Sequence, residues 1–382
     1  MHITNLVVKE LGLTNVTELE PFATINGVTI VELRATEGHF RVHLVRDSQY
    51  LNVKLEEGAK LAAYYNSLFW HEAAADEKIR VASARFKTSF RVTDGDVKHS
   101  VFITTVEPSA PTGSAPPRTR LGLAELEQCA KEIATLHAVN SRLVTTEFET
   151  AVQENFGNIR AYRRKIRNEI VEILESAIAN DEISRFFASP TKVMERVRIL
   201  VHHLEQSERA PEEESAERVI THGRLTADTC RFDGQGKLVE ITEWENIHLG
   251  NPVEDLTNLI ISSASAKLRK YRFMKVFQVY FYTLVDLRPP NYQLPDLKRW
   301  FREQQPKAVI DGIESLLLLL TECPDERDKR DAARRWESAL EDAVDWLTGN
   351  YVSDDEQVFF SQKGDDDDEE EEEGLAEHEE GF

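Results

Sequence analysis

Val219-Ile-Thr-His-Gly-Arg-Leu-Thr-Ala-Asp-Thr-Cys-Arg-Phe-Asp233 is the stretch on which the reading of the whole chain turns. Two short β-like runs around Asp233-Gly-Gln-Gly-Lys237 interrupt sequence that is otherwise helical in pattern. Beyond them, Val239-Glu-Ile-Thr-Glu-Trp-Glu-Asn-Ile-His-Leu-Gly-Asn-Pro-Val-Glu-Asp-Leu256 puts Glu243-Trp244-Glu245 across a hairpin from His222-Gly223. A His-Gly pair alone carries no weight, since about 0.5 such pairs arise by chance at this length and composition. The weight lies in the order: pair, hairpin, acid–Trp–acid, then Gly250-Asn-Pro-Val-Glu-Asp-Leu256.

Outward from this centre the pattern is consistent. After Pro252 the sequence reads as helix to Thr348, broken at Arg288-Pro-Pro-Asn291. Upstream, Leu123 to His137 is amphipathic, with Leu126, Ala130, Ile133, Ala134 and His137 at helical spacing. Asn158 to Ile178 and Thr191 to Leu204 read as helices, and Arg209 to Glu217 as an acidic loop. Pro108 to Pro117 is a linker. Before it the chain is strand-like over Ala23–Leu33, His39–Val45, Ile79–Val92 and Lys98–Val106, with one helical stretch over Lys54–Trp70. The turns fall at Asn26-Gly27, Glu37-Gly38 and Asp94-Gly95-Asp96.

This arrangement resembles the CHK-kinase-like, or ecdysteroid-kinase-like, branch of the choline-kinase and aminoglycoside-phosphotransferase group. There the first stretch reads His-Gly-Asp-x-Trp-x-x-Asn, and the second Ile-Asp-Trp-Gln followed by Gly-x-Pro-x-x-Asp-Leu. The helix ending Leu136-His137-Ala138 resembles a third family element. The resemblance implies an α+β, two-lobed protein-kinase-like fold with a small antiparallel β-rich N-lobe and a larger helical C-lobe. The implied bounds are an N-lobe over 1–107, a hinge over 108–120, a C-lobe over 121–350 and a disordered acidic tail over 351–382.

In that family the Asp of His-Gly-Asp accepts a proton from the attacking hydroxyl, while the Asn and the second Asp hold Mg²⁺ on the nucleotide phosphates. Here His222 is kept, but Arg224 stands at the catalytic Asp, Thr229 at the metal-binding Asn, Glu243 at the metal-binding Asp and Thr226 at the Trp. A guanidinium stays protonated and serves as no base, although it can bind a phosphate. Glu243 retains its charge and is a weak metal ligand; Thr229 offers one hydroxyl. In the N-lobe the phosphate-covering turn has a single glycine, Gly27, and the cation for the phosphates falls at Arg46, with Glu57 as its helix partner. Asp255 is expected to accept backbone N–H bonds near residues 222–224. The leading expectation is a degenerate, non-catalytic pseudokinase that acts by binding, with ATP and Mg²⁺ weak or absent. Two alternatives stay open: an active ATP-dependent kinase for a hydroxyl of an amino-alcohol or steroid-like substrate, and an acidic-tail adaptor.

Composition sets limits. The net charge is −22, of which the last 30 residues carry −14, leaving −8 on the first 352. Asp365 to Glu373 is an unbroken acidic run, which favours an extended tail and suits basic protein partners. Without a dense Lys/Arg block, nucleic acid is not an expected partner. No apolar run approaches the ~20 residues of a membrane span, and nothing at Met1 reads as a signal peptide. Three cysteines about a hundred residues apart give no disulfide framework and no zinc site. A cytoplasmic protein is expected. Arg160 to Arg167 is the one basic cluster, Trp244 with Tyr280, Phe281 and Tyr282 is a candidate aromatic box, and His202-His203 lacks metal-site spacing.

Overall fold

The structure is a computed structural model that describes residues 2–18, 22–23, 28–46, 85–94, 97–106, 118–143, 164, 167–208, 218–241 and 248–349. Residues 1–344 form one compact unit and 345–382 a second.

The N-terminal region is an antiparallel sheet of β1 (Thr17–Glu18), β2 (Phe22–Ala23), β3 (Val28–Ala35), β4 (Gly38–Arg46), β5 (Arg85–Asp94) and β6 (Val97–Val106). The order is β1-β3-β4-β6-β5, with β2 also pairing β3. Alternation of side chains explains its two faces. Val31 and Leu33 lie opposite Val42 and Phe40, and this apolar face joins Val101 and Ile103 in a buried cluster. Between them in register, Glu32 lies opposite Arg41, and both side chains are buried. Gly38, at φ 144°, makes the tight β3–β4 turn that residues with a Cβ disfavour.

A helix that the sequence reading did not assign, α1 (His2–Leu11), adds Val7 to the apolar cluster, and Leu13 follows it there. It stops at Gly12, whose φ of 63° is the left-handed conformation common just past helix ends. Thr14 then donates through its N–H and Oγ1 to the Glu37 carboxylate at 2.9 and 2.6 Å, fastening this segment to the β3–β4 turn.

The C-terminal part is mainly helical. It comprises α2 (Leu123–Leu143), a helical stretch over 167–178, α3 (Pro190–Ser207), α4 (Glu254–Ser263), α5 (Ala266–Tyr271), α6 (Phe273–Leu287), α7 (Leu294–Asp311), α8 (Ile313–Glu322) and α9 (Glu326–Thr348). The break between α6 and α7 holds Pro289-Pro290, as the sequence indicates. In α2, Leu126, Ala130, Ile133, Ala134 and His137 are all buried, so the expected stripe is the packed face. Four short strands, β7 (Val219–Thr221), β8 (Cys230–Phe232), β9 (Leu238–Ile241) and β10 (His248–Gly250), pair antiparallel as β7–β10 and β8–β9. This is the two-part kinase-like architecture that the resemblance implies.

The expected helix over 54–70 with Glu57, the turn glycine Gly27, the linker 108–117, Glu243 with Trp244, and the acidic tail lie outside the described residues.

Candidate functional site

The loop 222–229 leaves β7 and enters β8, held from three sides. Asp255, buried in the first turn of α4, accepts the His222 N–H at 2.7 Å and the Gly223 N–H at 2.9 Å, one on each carboxylate oxygen. Gly223 has φ 79°, a conformation that admits glycine readily. Further along, the Ala227 N–H donates to Ser263 Oγ at 2.9 Å. The third hold is His137 of α2, whose Nε2 meets the Ile220 carbonyl of β7 at 3.0 Å. A carbonyl only accepts, so Nε2 carries the proton and Nδ1 accepts from the Tyr280 hydroxyl at 2.8 Å. Tyr280 in turn meets Tyr292 at 2.8 Å. Burial lowers the His137 pKa to about 3, against the pull of the Ile220 carbonyl, so the ring is neutral.

Behind the loop lies a second charged layer. His248 Nε2 stands 3.3 Å from Glu254, and Lys307 bridges Glu254 at 3.4 Å and Asp311 at 3.1 Å. Burial opposes ionisation of Glu254, yet Lys307 and His248 hold it below the usual carboxylate range. Asp255, one residue on, is pushed by burial up to about 7; its two backbone N–H bonds act the other way and Glu254 adds repulsion. Gly250 is the close-packed residue of this layer, because a Cβ there would lie 2.6 Å from Glu254 Oε2.

His222, Arg224 and Thr229 share this one loop. His222 is fully buried, and its Nδ1 accepts the Arg224 N–H at 3.2 Å. Arg224 Nη1 stands 3.7 Å from Asp228 Oδ2, with the Asp228 side chain only 7% exposed. Thr226 Oγ1 donates to the other Asp228 oxygen. Thr229 closes a 3₁₀ turn over Ala227–Thr229: its Oγ1 donates to the Thr226 carbonyl at 2.9 Å and accepts the Thr226 N–H at 3.1 Å. Of the residues that would have to hold Mg²⁺ or act as base, position 224 therefore offers a cation paired with a carboxylate, and position 229 a hydroxyl already engaged in its own turn. Neither fits a divalent cation. Among the described residues no group of three or more His, Cys, Asp or Glu is placed to hold a metal ion.

Asp228 was missed by motif reading, although its spacing of four from Arg224 with opposite charge is a recognisable signal. In the N-terminal sheet Arg41 of β4 is buried, and its Nε and Nη2 reach Glu32 Oε1 at 3.1 and 3.0 Å. Arg46, expected to serve the phosphates, is the last residue of β4, opposite His99 of β6. Arg231 of β8 approaches Glu32 at 3.8 Å and so links the sheet to the strand following the loop. The aromatic box does not assemble from α6: Tyr280 is spent on His137 and Tyr292, while Tyr282 is 58% exposed. In the basic cluster Arg164 and Arg167 both pair with Glu208. His202 and His203 bond to Gln206 and Ser207 one turn on.

The fold is the protein-kinase-like fold of the aminoglycoside phosphotransferases. Spectinomycin phosphotransferase APH(9)-Ia, solved with ADP and spectinomycin, matches at TM-score 0.52 and 13% identity over 88% of this chain and 97% of its own. The microcompartment-associated aminopropanol kinase matches at 0.51 and 12%, over 91% and 98%. Amicoumacin kinase hAmiN, solved in complex with AMP-PNP, Ca²⁺ and Ami, matches at 0.50 and 12%, over 88% and 93%. The chain belongs to the DUF1679 family, described as "Uncharacterized oxidoreductase dhs-27" and kinase-like in the CHK/ecdysteroid sense, whose model matches residues 113–344. No sequence among the curated proteins matches this chain. The word oxidoreductase in that description belongs to the relative. A dinucleotide-binding sheet is mostly parallel, whereas every strand pair among the described residues is antiparallel.

Proposed function

We propose that this protein is a catalytically silent kinase-like protein that acts by binding a ligand or a protein partner. The observation that carries the reading is the Arg224–Asp228 pair at the position of the family's catalytic base. A guanidinium takes no proton from a hydroxyl, and its charge repels Mg²⁺ from the same loop. Asp228, a carboxylate of the same loop, is engaged by Thr226 and Arg224 and is poorly placed to replace that base. The fold retains the two-part frame of nucleotide-binding relatives, so nucleotide affinity is weak and independent of Mg²⁺ in this reading. The net charge of −22 and the dispersed Lys and Arg leave nucleic acid out of the proposed partners. No helix among the described residues is long and apolar enough to cross a membrane.

The test is ligand-induced melting-temperature shift with ATP, with and without Mg²⁺, beside ADP release on choline, ethanolamine, aminopropanol and ecdysteroid acceptors. The expected result is no Mg²⁺-dependent shift and no acceptor-dependent ADP. Acceptor-dependent turnover that disappears in Arg224→Ala would overturn the proposal.

A further inference from the structure

Cys129 of α2 and Cys230 at the start of β8 are 101 residues apart in sequence, yet their sulfurs lie 3.7 Å apart. Both are free thiols, and both are buried. We propose that they form a reversible redox pair, a modification site that closes as an intramolecular disulfide between α2 and the strand leaving the candidate site. The inference does not depend on whether the chain binds nucleotide.

Two features of the surroundings support it, the contact of the sulfurs and a local route of access. The sulfurs already touch, and a disulfide brings them to about 2 Å, a small movement for two side chains on separate elements. Access has a local route. Among the described residues β8 pairs with β9 alone, in a two-stranded hairpin whose register shifts between Arg231 and Phe232, and short hairpins open locally more readily than larger sheets. Fluctuation of that hairpin uncovers Cys230 without global unfolding. At rest the pair is quiet: the hydrogen bond from Cys129 and burial hold the Cys230 thiol well above its ordinary value, so the reaction awaits both opening and oxidant.

The oxidant is a hydroperoxide. One thiol sulfur attacks the peroxide oxygen; the S–O bond forms, the O–O bond breaks, and the peroxide leaves as an alcohol or as water. The second sulfur then displaces the sulfenic hydroxyl as water and the S–S bond forms. Two thiols lose two electrons and two protons, and the peroxide gains both. The consequence is structural. Gln128, beside Cys129, already accepts the Leu238 N–H and donates to the Gly236 carbonyl, both at 2.9 Å. His137, farther along α2, bonds to Ile220. A disulfide would make the α2 hold on the strands bracketing loop 222–229 covalent at one end.

The experiment treats the full chain with hydrogen peroxide, alkylates it under denaturing conditions, and maps peptides by mass. The expected result is that two of the three thiols escape alkylation, that a linked peptide pair joins Cys129 to Cys230 with loss of two hydrogens, and that dithiothreitol restores all three. Cys230→Ala should abolish the reversible loss at Cys129. The proposal is overturned if Cys129 and Cys230 remain alkylatable when half of the more accessible Cys323 is oxidised. It is overturned equally if either is lost irreversibly with no linked peptide. The wild-type map decides the matter even where the variant misfolds.

Discussion

Removing the Asp255 carboxylate tests whether one side chain holds the 222–224 loop. Its two oxygens take the N–H groups of His222 and Gly223 in a fully buried site. Asp255→Ala deprives both donors of that acceptor, and each stranded donor costs about 1–3 kcal/mol, so the expected loss is about 4 kcal/mol. That is a large part of the ~5–15 kcal/mol typical of a domain. Asp255→Asn keeps a carbonyl oxygen for one N–H but turns an amide N–H₂ toward the other, for a loss of about 2 kcal/mol at low pH. The pH dependence separates this from generic damage. Burial raises Asp255 from 3.8 to about 7, so the folded chain holds the proton more tightly than the unfolded chain. The group's contribution to stability is therefore complete below about pH 4 and is lost as pH rises through about 7. Asn stays neutral throughout, and the gap between wild type and Asp255→Asn should narrow from pH 5 to pH 8. Urea denaturation followed by tryptophan fluorescence at several pH values measures both effects. An Ala variant within about 0.5 kcal/mol of wild type, the range of ordinary surface changes, or a pH-independent Asn gap, would refute the reasoning.

Two further perturbations probe the frame around the loop. Gly250→Ala places a Cβ 2.6 Å from Glu254 Oε2 and 3.0 Å from both His248 Nε2 and Thr221 Cγ2, so Glu254 must leave its partners; a loss of about 2 kcal/mol is expected in the same urea assay. Glu32→Gln withdraws the charge facing buried Arg41, for about 3 kcal/mol, whereas Arg231→Ala leaves the closer Glu32–Arg41 contacts in place and takes from Glu32 only its 3.8 Å neighbour, so it should cost less than Glu32→Gln. Equal effects of those two changes would count against Glu32 and Arg41 as the principal pair.

Much of the fold is legible because short-range pattern decides it. Val31, Leu33, Phe40 and Val42 alternate with polar residues, and Gly38 supplies the turn, so β3 and β4 follow directly. α1 does not: Ile3, Thr4, Val7 and Val8 are β-branched, and packing of Val7 on the sheet outweighs their weaker helix preference. In the site, His222, Gly223 and the Asp255 clamp follow from the family resemblance. Asp228 does not, because it holds no family motif position and its role comes from pairing with Arg224 four residues earlier. Strand register faces Arg41 to Glu32, a buried pair that follows only once β3 and β4 are aligned. Cys129 and Cys230 left no sequence signal, since a contact across 101 residues depends on tertiary packing alone.

Several backbone groups of the loop are held by residues outside position 224. Asp255 grips the N–H groups of 222 and 223, Ser263 that of 227, and the Thr226–Thr229 turn closes on itself. These holds survive a change of charge at 224, whereas the Arg224–Asp228 pair does not. A single Arg224→Asp change sets two carboxylates four residues apart, a like-charge spacing unfavourable by about 0.5 kcal/mol on an exposed helix. The effect is larger here, where Asp228 is nearly buried. Restoring the family pattern by Arg224→Asp with Thr229→Asn should thus lower the melting temperature, and adding Asp228→Ala should recover it. Mg²⁺-dependent nucleotide binding should emerge in the triple variant before the double. If the double variant is as stable as wild type, Asp228 is not the counter-charge that makes arginine tolerable in this loop.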